Sequence, residues 1–187
     1  METIKTLVLV GGISKNSLNQ RLFNEIEKHY HGALAFTQFA IEKLPYYSQD
    51  IDNGTLPIVN EFKAVIKNSQ AVLLITPEYN RSFPGVLKNA LDWGSRPYEQ
   101  NTWGGKPAAI MGASVGKLGT FAAQGQLRAV CSFLNMHVMN QPEFYGTAQT
   151  LLDETGLIDK ALPFVQKYLD SFEQWVRQHI SMVGSKQ

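Results

Sequence analysis

Cysteine is nearly absent from this chain, which has only Cys131. A single thiol excludes an intrachain disulfide and a zinc site built from several cysteines. Cys131 stands within the apolar run 129–134, with no basic neighbour in sequence to activate it. We therefore expect a buried small side chain rather than a nucleophile.

Excess charge and long hydrophobic runs are absent too. The net charge is +1, which gives no electrostatic support for binding nucleic acid or an acidic membrane surface. No segment approaches the ~20 apolar residues of a membrane span. The apolar run that follows Lys5 is too short for a signal peptide. These features predict a cytoplasmic protein whose partners include neither nucleic acid nor membrane.

Several catalytic signatures are also missing. The chain has no His-x-x-x-His pair and no obvious paired carboxylates in its loops, so neither a metal site of that kind nor hydrolysis by a carboxylate pair is indicated. Its length suits one domain over residues 1–187 with a full core.

Hydrophobic periodicity predicts strands alternating with helices. The short apolar runs predict strands at 4–10, 33–39, 71–75, 106–113 and 137–140. Apolar residues recur at helical spacing from Leu18 onward and over 57–68, 84–94, 120–134 and 156–182. Residues 144–155 are predicted to form a loop. This alternation predicts an α/β fold, a doubly wound five-stranded parallel sheet.

Three loops that follow predicted strands are polar and contain glycine. They are residues 11–19, 76–82 and 112–119, after the first, third and fourth strands. Ligands bind beyond the carboxyl ends of parallel strands where the strand order reverses. The three loops therefore favour the flavodoxin-like order 2-1-3-4-5 and predict a site between them.

The loops suit a mononucleotide with an aromatic head. The first, with Gly11, Ser14, Lys15 and Ser17, offers hydroxyls and N–H groups to a phosphate at a helix N-terminus. The second offers Tyr79 and the amide of Asn80 to a flat polar ring, and the third has little side-chain bulk. The alternative is that Ser17 or Asn16 only caps the helix, and that Tyr79 and Asn80 only form a turn.

The central motif is similar to that of a known family. Pro77-Glu78-Tyr79-Asn80, Ser82, Pro84-Gly85, Leu87-Lys88-Asn89-Ala90 and Asp92-Trp93 resemble the signature of the NADPH-dependent FMN reductases. The resemblance implies bound FMN, with Ser17 and Asn19 at the phosphate, Pro77 to Asn80 along the isoalloxazine, and Ser114 and Gly116 at its pyrimidine edge. The cofactor-binding set predicted here also includes Gly11, Ser14, Lys15, Leu18 and Lys117.

The first loop departs from the family pattern. The family usually reads Gly-Ser-x-Arg, whereas this chain has Gly11-Gly12-Ile13-Ser14. Loss of the arginine removes a charge-assisted phosphate contact of about 1.5–3 kcal/mol. Lys15 offers a replacement charge.

The implied activity is hydride transfer from NADPH or NADH through FMN to a small-molecule acceptor, such as a quinone, azo compound, free flavin or metal oxyanion, by a ping-pong mechanism. The resemblance also implies a homodimer or homotetramer. We expect the apolar face of the 84–93 helix, with Trp93 and Arg96, to form part of that contact. The alternatives are an FMN electron carrier, which the +1 charge disfavours, and a flavin-free binding or regulatory module on the same fold.

Overall fold

The computed structural model describes residues 2–154 and 156–184. Its strands are β1 (Ile4–Val10), β2 (Leu34–Gln38), β3 (Ala71–Ile75), β4 (Pro107–Ser114), β5 (His137–Val138) and β6 (Phe144–Thr147). Its α-helices are α1 (Leu18–His29), α2 (Pro57–Asn68), α3 (Gly85–Gly94), α4 (Phe121–Phe133), α5 (Ala148–Leu151) and α6 (Leu162–Gly184). Short 3₁₀ turns occupy Ile41–Lys43 and Gln49–Ile51.

The sheet has the predicted strand order. Its main path is β2-β1-β3-β4-β5, and every pairing is parallel. Val10 pairs with Ile75, and Ile75 pairs with Met111, so the carboxyl ends of β1, β3 and β4 lie side by side. The loops that follow these three strands consequently leave the same edge of the sheet.

A sixth strand corrects the predicted loop at 144–155. β5 pairs only with Pro107 and Ala108, so the second half of β4 has no β5 partner on the edge opposite β3. β6 fills that edge, because Phe144 to Thr147 pair with Met111 to Ser114. The aromatic and β-branched residues of this segment favour a strand, and the short α5 follows it. Thr155, the last residue of the predicted loop, lies outside the described residues.

The last helix begins later than predicted. It starts at Leu162, not at Gly156, and Pro163 in its first turn suits a helix start. Gly156 instead closes a turn, accepting a hydrogen bond from the Asp153 N–H at 3.0 Å. Leu157 is buried although it lies outside the helix. Its apolar spacing therefore reflects packing against the core and not helix formation.

The sheet separates two hydrophobic cores. One lies under α1 and α6, and the other under α2, α3 and α4. Cys131 is buried in the second core, as expected, and burial raises the pKa of its thiol to about 12. Within the part of the chain described, no helix is both long and apolar enough to cross a membrane.

The apolar face of the 84–93 helix is not available for the predicted contact between subunits. Its apolar residues Leu87, Ala90 and Leu91 are fully buried in the chain's own core. Trp93 is only 2% exposed, and its Nε1 donates a hydrogen bond to the Pro45 carbonyl at 2.7 Å. The helical pattern was correct, but the buried face belongs to this chain and is closed to a second copy.

Candidate functional site

The three polar loops meet in one cleft at the carboxyl edge of the sheet. The first loop (residues 11–17) follows β1, the central loop (76–84) follows β3, and the third loop (115–120) follows β4. The cleft is lined by Ser14, Asn16, Ser17, Leu18, Asn19, Pro77, Glu78, Tyr79, Ala113, Ser114 and Val115. The topology thus brings together residues as far apart in sequence as Ser14 and Val115.

The start of α1 forms one wall of the cleft. Ser17 is the N-cap, and its Oγ accepts a hydrogen bond from the Gln20 N–H at 3.2 Å. Leu18 and Asn19 are the first two residues of the helix, where N–H groups have no intrahelical acceptor. Those N–H groups, the helix dipole and the Ser17 hydroxyl favour an anion at this end of α1.

Both polar atoms of the Asn19 side chain already have hydrogen-bond partners within the protein. Its Nδ2 donates to the Ala113 carbonyl at 2.9 Å, and its Oδ1 accepts from the Ala113 N–H at 2.8 Å. Asn19 is only 2% exposed. An anion at this helix terminus would therefore meet the main-chain N–H of Asn19, while its side chain fastens α1 to the end of β4.

The unusual glycine of the first loop has a steric reason. A Cβ atom at Gly12 would lie 2.3 Å from the Ser17 Oγ, much closer than the atoms could approach. With a glycine at position 12, the Ser17 hydroxyl occupies the space that a side chain there would take. The preceding Gly11 donates its N–H to the Ile75 carbonyl at 2.8 Å.

Charge at the first loop comes from one exposed lysine. Lys15 is exposed at the loop tip, next to the exposed Ser14 and Asn16. Ser14 lines the cleft where the family resemblance expects an arginine. Lys15 is therefore the only basic residue of the first loop, and it belongs to the rim of the cleft.

The central loop makes a tight turn. Tyr79 and Ser82 exchange two main-chain hydrogen bonds, of 2.8 and 2.9 Å. Asn80 and Arg81 between them have φ values of 50° and 66°, as in a type I′ turn. Pro77 is buried, whereas the Tyr79 side chain is 53% exposed. The phenol therefore stands at the mouth of the cleft. Glu78 turns its carboxylate toward α4.

The end of β4, just before the third loop, lies close to the central loop. A Cβ atom at Gly112 would come within 2.0 Å of the Thr76 carbonyl oxygen, so only glycine permits this approach. The Ser114 Oγ accepts the Gly116 N–H at 3.0 Å and tightens the turn. Gly116 and Lys117 are exposed at its tip. This loop supplies mainly backbone to the cleft.

The rim next to the third loop is apolar. Val115, Leu118 and Phe121 are between 60% and 78% exposed. The Phe121 ring packs edge-on against Tyr145, with centroids 5.3 Å apart. Burial, followed by the nearby Glu143, raises the pKa of Tyr145 to about 12. The Tyr145 hydroxyl therefore stays protonated at neutral pH.

Most of the predicted site residues converge. Those that line the cleft are Ser14, Ser17, Leu18, Asn19, Pro77, Glu78, Tyr79 and Ser114. Those outside its lining are Gly11, Lys15, Asn80, Gly116 and Lys117. The sequence reasoning missed Asn16, Ala113 and Val115, each of which adjoins a predicted residue. A wider window on each polar loop would have included them.

Comparison with known proteins agrees with this geometry. The family model for NADPH-dependent FMN reductase matches residues 4–150. The chain belongs to this family. A 2-hydroxy-1,4-benzoquinone reductase from Burkholderia sp. is 42% identical over 177 residues, which cover 93% of this chain and 97% of the relative. An NAD(P)H-dependent FMN reductase from Pseudomonas aeruginosa is 40% identical over 181 residues, covering 95% and 97% respectively.

A solved structure shares the architecture. The flavoenzyme NAD(P)H:(acceptor) oxidoreductase FerB from Paracoccus denitrificans superposes with a TM-score of 0.87 at 38% identity, covering 95% of this chain and 99% of that one. The fold is flavodoxin-like, and this member of the FMN reductase family is an NAD(P)H-dependent flavin oxidoreductase.

The cleft fits the FMN that this family uses. A phosphate needs donors and positive charge, which the α1 N-terminus, Ser17 and Lys15 supply. A flat ring needs close approach to backbone, which the small residues Ala113 and Ser114 at the end of β4 permit. The departure at Gly12 leaves the Ser17 hydroxyl in place.

Proposed function

We propose that FMN binds in the cleft with its phosphate at the N-terminus of α1. The observation that carries this proposal is the convergence of all three polar loops on one cleft. Ser14, Ser17, Lys15 and the N–H groups of Leu18 and Asn19 would hold the phosphate. Main-chain groups of Pro77 to Asn80 and of Ser114 to Gly116 would position the ring.

The protein's own contribution is binding and orientation. Bound FMN supplies the hydride chemistry, accepting two electrons from a nicotinamide nucleotide and passing them to the acceptor. The central loop would cover one side of the ring with backbone, and the exposed Tyr79 would border the open side. We propose that one opening serves both the nucleotide and the acceptor, so that they bind in turn, in a ping-pong mechanism.

We propose a quinone as the acceptor class. The apolar rim of Val115, Leu118 and Phe121 beside Tyr79 suits a planar, weakly polar molecule better than a metal oxyanion. The Burkholderia relative is a reductase of a hydroxylated benzoquinone. Azo compounds and free flavin share the planar shape and remain acceptors to compare in the assay.

The charges around the cleft suit an anionic nucleotide. Lys15 and Lys117 are exposed, and among the described residues no carboxylate pairs with either. Arg81 pairs with Glu78 at 3.2 Å, so its charge is partly neutralised. We propose that Lys117, more than Arg81, sets any preference for NADPH over NADH.

We further propose one domain over residues 1–187, a cytoplasmic location and a homodimer or homotetramer. A single sheet shared by both cores supports one domain, and dependence on NAD(P)H supports the location. The exposed apolar rim at Val115, Leu118 and Phe121 is a better surface for a second copy than α3, whose apolar face is buried. Light scattering at several protein concentrations tests the assembly.

The decisive experiment is the visible spectrum of the purified protein, before and after anaerobic addition of NADPH. We expect flavin bands that bleach, followed by recovery on addition of a benzoquinone. Steady-state rates with both substrates varied should give the parallel double-reciprocal lines of a ping-pong enzyme. A protein that cannot take up FMN refutes the proposal, and one that needs a separate reductase is an electron carrier instead.

A matched pair of variants tests the phosphate position. Lys15→Ala should raise the Kd for FMN about two- to fivefold, because an exposed charge contact contributes up to ~1 kcal/mol. Lys167→Ala removes another exposed lysine, on α6, and should leave the Kd unchanged. Equal Kd values for both variants would place the phosphate away from Lys15.

A further inference from the structure

Helix α4 lacks a cap from its own N-terminal residue. Thr120 is the N-cap, but its side chain makes no capping hydrogen bond. The Thr120 Oγ accepts instead from the Gln124 side-chain amide at 2.8 Å. The first N–H groups of a helix need acceptors from elsewhere. In α4, that acceptor comes from another loop.

Glu78 of the central loop supplies it. Its Oε2 accepts hydrogen bonds from the N–H groups of Ala122 and Ala123, at 2.9 and 3.1 Å. Its Oε1 accepts from the Arg81 guanidinium at 3.2 Å. The side chain is only 7% exposed, and a carboxylate at a helix N-terminus is favoured by the helix dipole. Glu78 therefore joins the central loop to α4.

A second connection lies one turn further along α4. The Ser82 hydroxyl donates to the Gln126 Oε1 at 2.7 Å, and the Gln126 Nε2 donates to the Arg81 carbonyl at 2.9 Å. Both bonds reach the type I′ turn that exposes Tyr79. The turn is thus held to α4 at two points, one buried and one exposed.

We propose that Glu78 is a positioning residue for the cofactor. Its carboxylate caps α4 and thereby fixes the main-chain groups of Pro77 to Asn80 against the third loop. This inference rests on the FMN placement proposed above. In this proposal the Glu78 side chain joins the central loop to the start of α4, directly after the third loop, and the main chain contacts the flavin ring.

Two variants at this position separate its roles. Glu78→Leu keeps a similar volume but removes every acceptor, so the N–H groups of Ala122 and Ala123 lose their partner. We expect the Kd for FMN to rise at least ~tenfold, which corresponds to ~1.4 kcal/mol. Glu78→Gln retains one acceptor oxygen and should give an intermediate Kd. Asp92→Asn removes a carboxylate paired with Lys88 on α3 and serves as the control.

Hydrogen–deuterium exchange of the FMN-free proteins is the second readout. In Glu78→Leu, exchange should rise both at residues 79–82 and at the start of α4. Gln126→Ala removes the exposed connection at a surface position, so folding is preserved. It should speed exchange at 79–82 and raise the FMN Kd about twofold, as expected for loss of exposed polar contacts.

The outcomes are distinguishable. Faster exchange confined to α4, with an unchanged Kd, would make Glu78 a helix cap only and overturn the proposal. Unchanged exchange at 79–82 would overturn it as well. If the wild-type protein binds no FMN, the proposed function fails and the role toward the cofactor falls with it. The exchange data then still decide whether Glu78 holds the turn.

Discussion

The contact between Gly12 and Ser17 gives the most specific prediction. In Gly12→Ala, the new methyl group would lie 2.3 Å from the Ser17 Oγ. The cheapest relief is rotation of the Ser17 side chain, which gives up its hydrogen bond to the Gln20 N–H. Loss of an N-cap bond costs about 1 kcal/mol. For a chain of this size, that lowers the melting temperature by about 2–4 °C.

A double-mutant cycle isolates this mechanism. Ser17→Ala alone should cost about the same ~1 kcal/mol, because it removes the same cap. Once the hydroxyl is gone, the methyl at position 12 has no close partner there, since the Ser17 Cβ lies 3.4 Å away. The double variant should therefore be about as stable as Ser17→Ala, with a coupling energy of about 1 kcal/mol.

The assay is urea unfolding of the FMN-free protein, followed by far-ultraviolet circular dichroism. Gly125→Ala is the control for the glycine change, since a Cβ atom there meets nothing within 4 Å. It lies inside α4 and should stabilise the protein by about 0.5–1 kcal/mol. Additive losses in the Gly12 and Ser17 cycle would refute the steric reasoning.

Two further predictions concern buried polar groups. Tyr168→Phe removes the hydroxyl that donates to the Ile110 carbonyl at 2.7 Å and should cost about 0.5–1.5 kcal/mol in urea unfolding, because a buried hydrogen bond is lost; no loss would contradict a stabilising role for this bond. Burial opposes ionisation of Glu173, but the Ala33 N–H and Arg177 outweigh it and hold the pKa of Glu173 below its ordinary value. The ionised form therefore stabilises the fold above the unfolded-state pKa, and this contribution is lost as the pH falls through the folded-state value. The melting temperature of Glu173→Gln should be lower than that of the wild type at pH 7 and should converge with it toward pH 3, and a constant gap would contradict the assignment.

The fold was largely predictable because its elements repeat simple patterns. The five predicted strands followed from short apolar runs that alternate with amphipathic segments, and the polar, glycine-containing loops after three of them indicated the strand order. β6 was missed because four residues beside a proline carry little periodicity, and its place depends on how little of β4 is covered by β5. The start of α6 was misplaced because Leu157 and Ala161 are buried without being helical.

The site was predictable at the level of loops, but its side-chain roles were not. The polar loops identified the cleft, since parallel strands deliver them to one edge. Tertiary contacts determine what each side chain does there: the Asn19 amide pairs with Ala113, and the Glu78 carboxylate caps α4. Both partners are more than 40 residues away in sequence, so local patterns carry no sign of them.

The pairing between Asn19 and Ala113 has a consequence for how fast a ligand can enter. The amide donates to and accepts from the same residue, as a neighbouring strand would, so the first and third loops share one anchor beneath the cleft. That part of the cleft needs no ordering when a ligand arrives, which lowers the entropic cost of binding. Association should therefore be limited by encounter with the exposed loop tips at Lys15 and Lys117, and not by opening of the sheet edge.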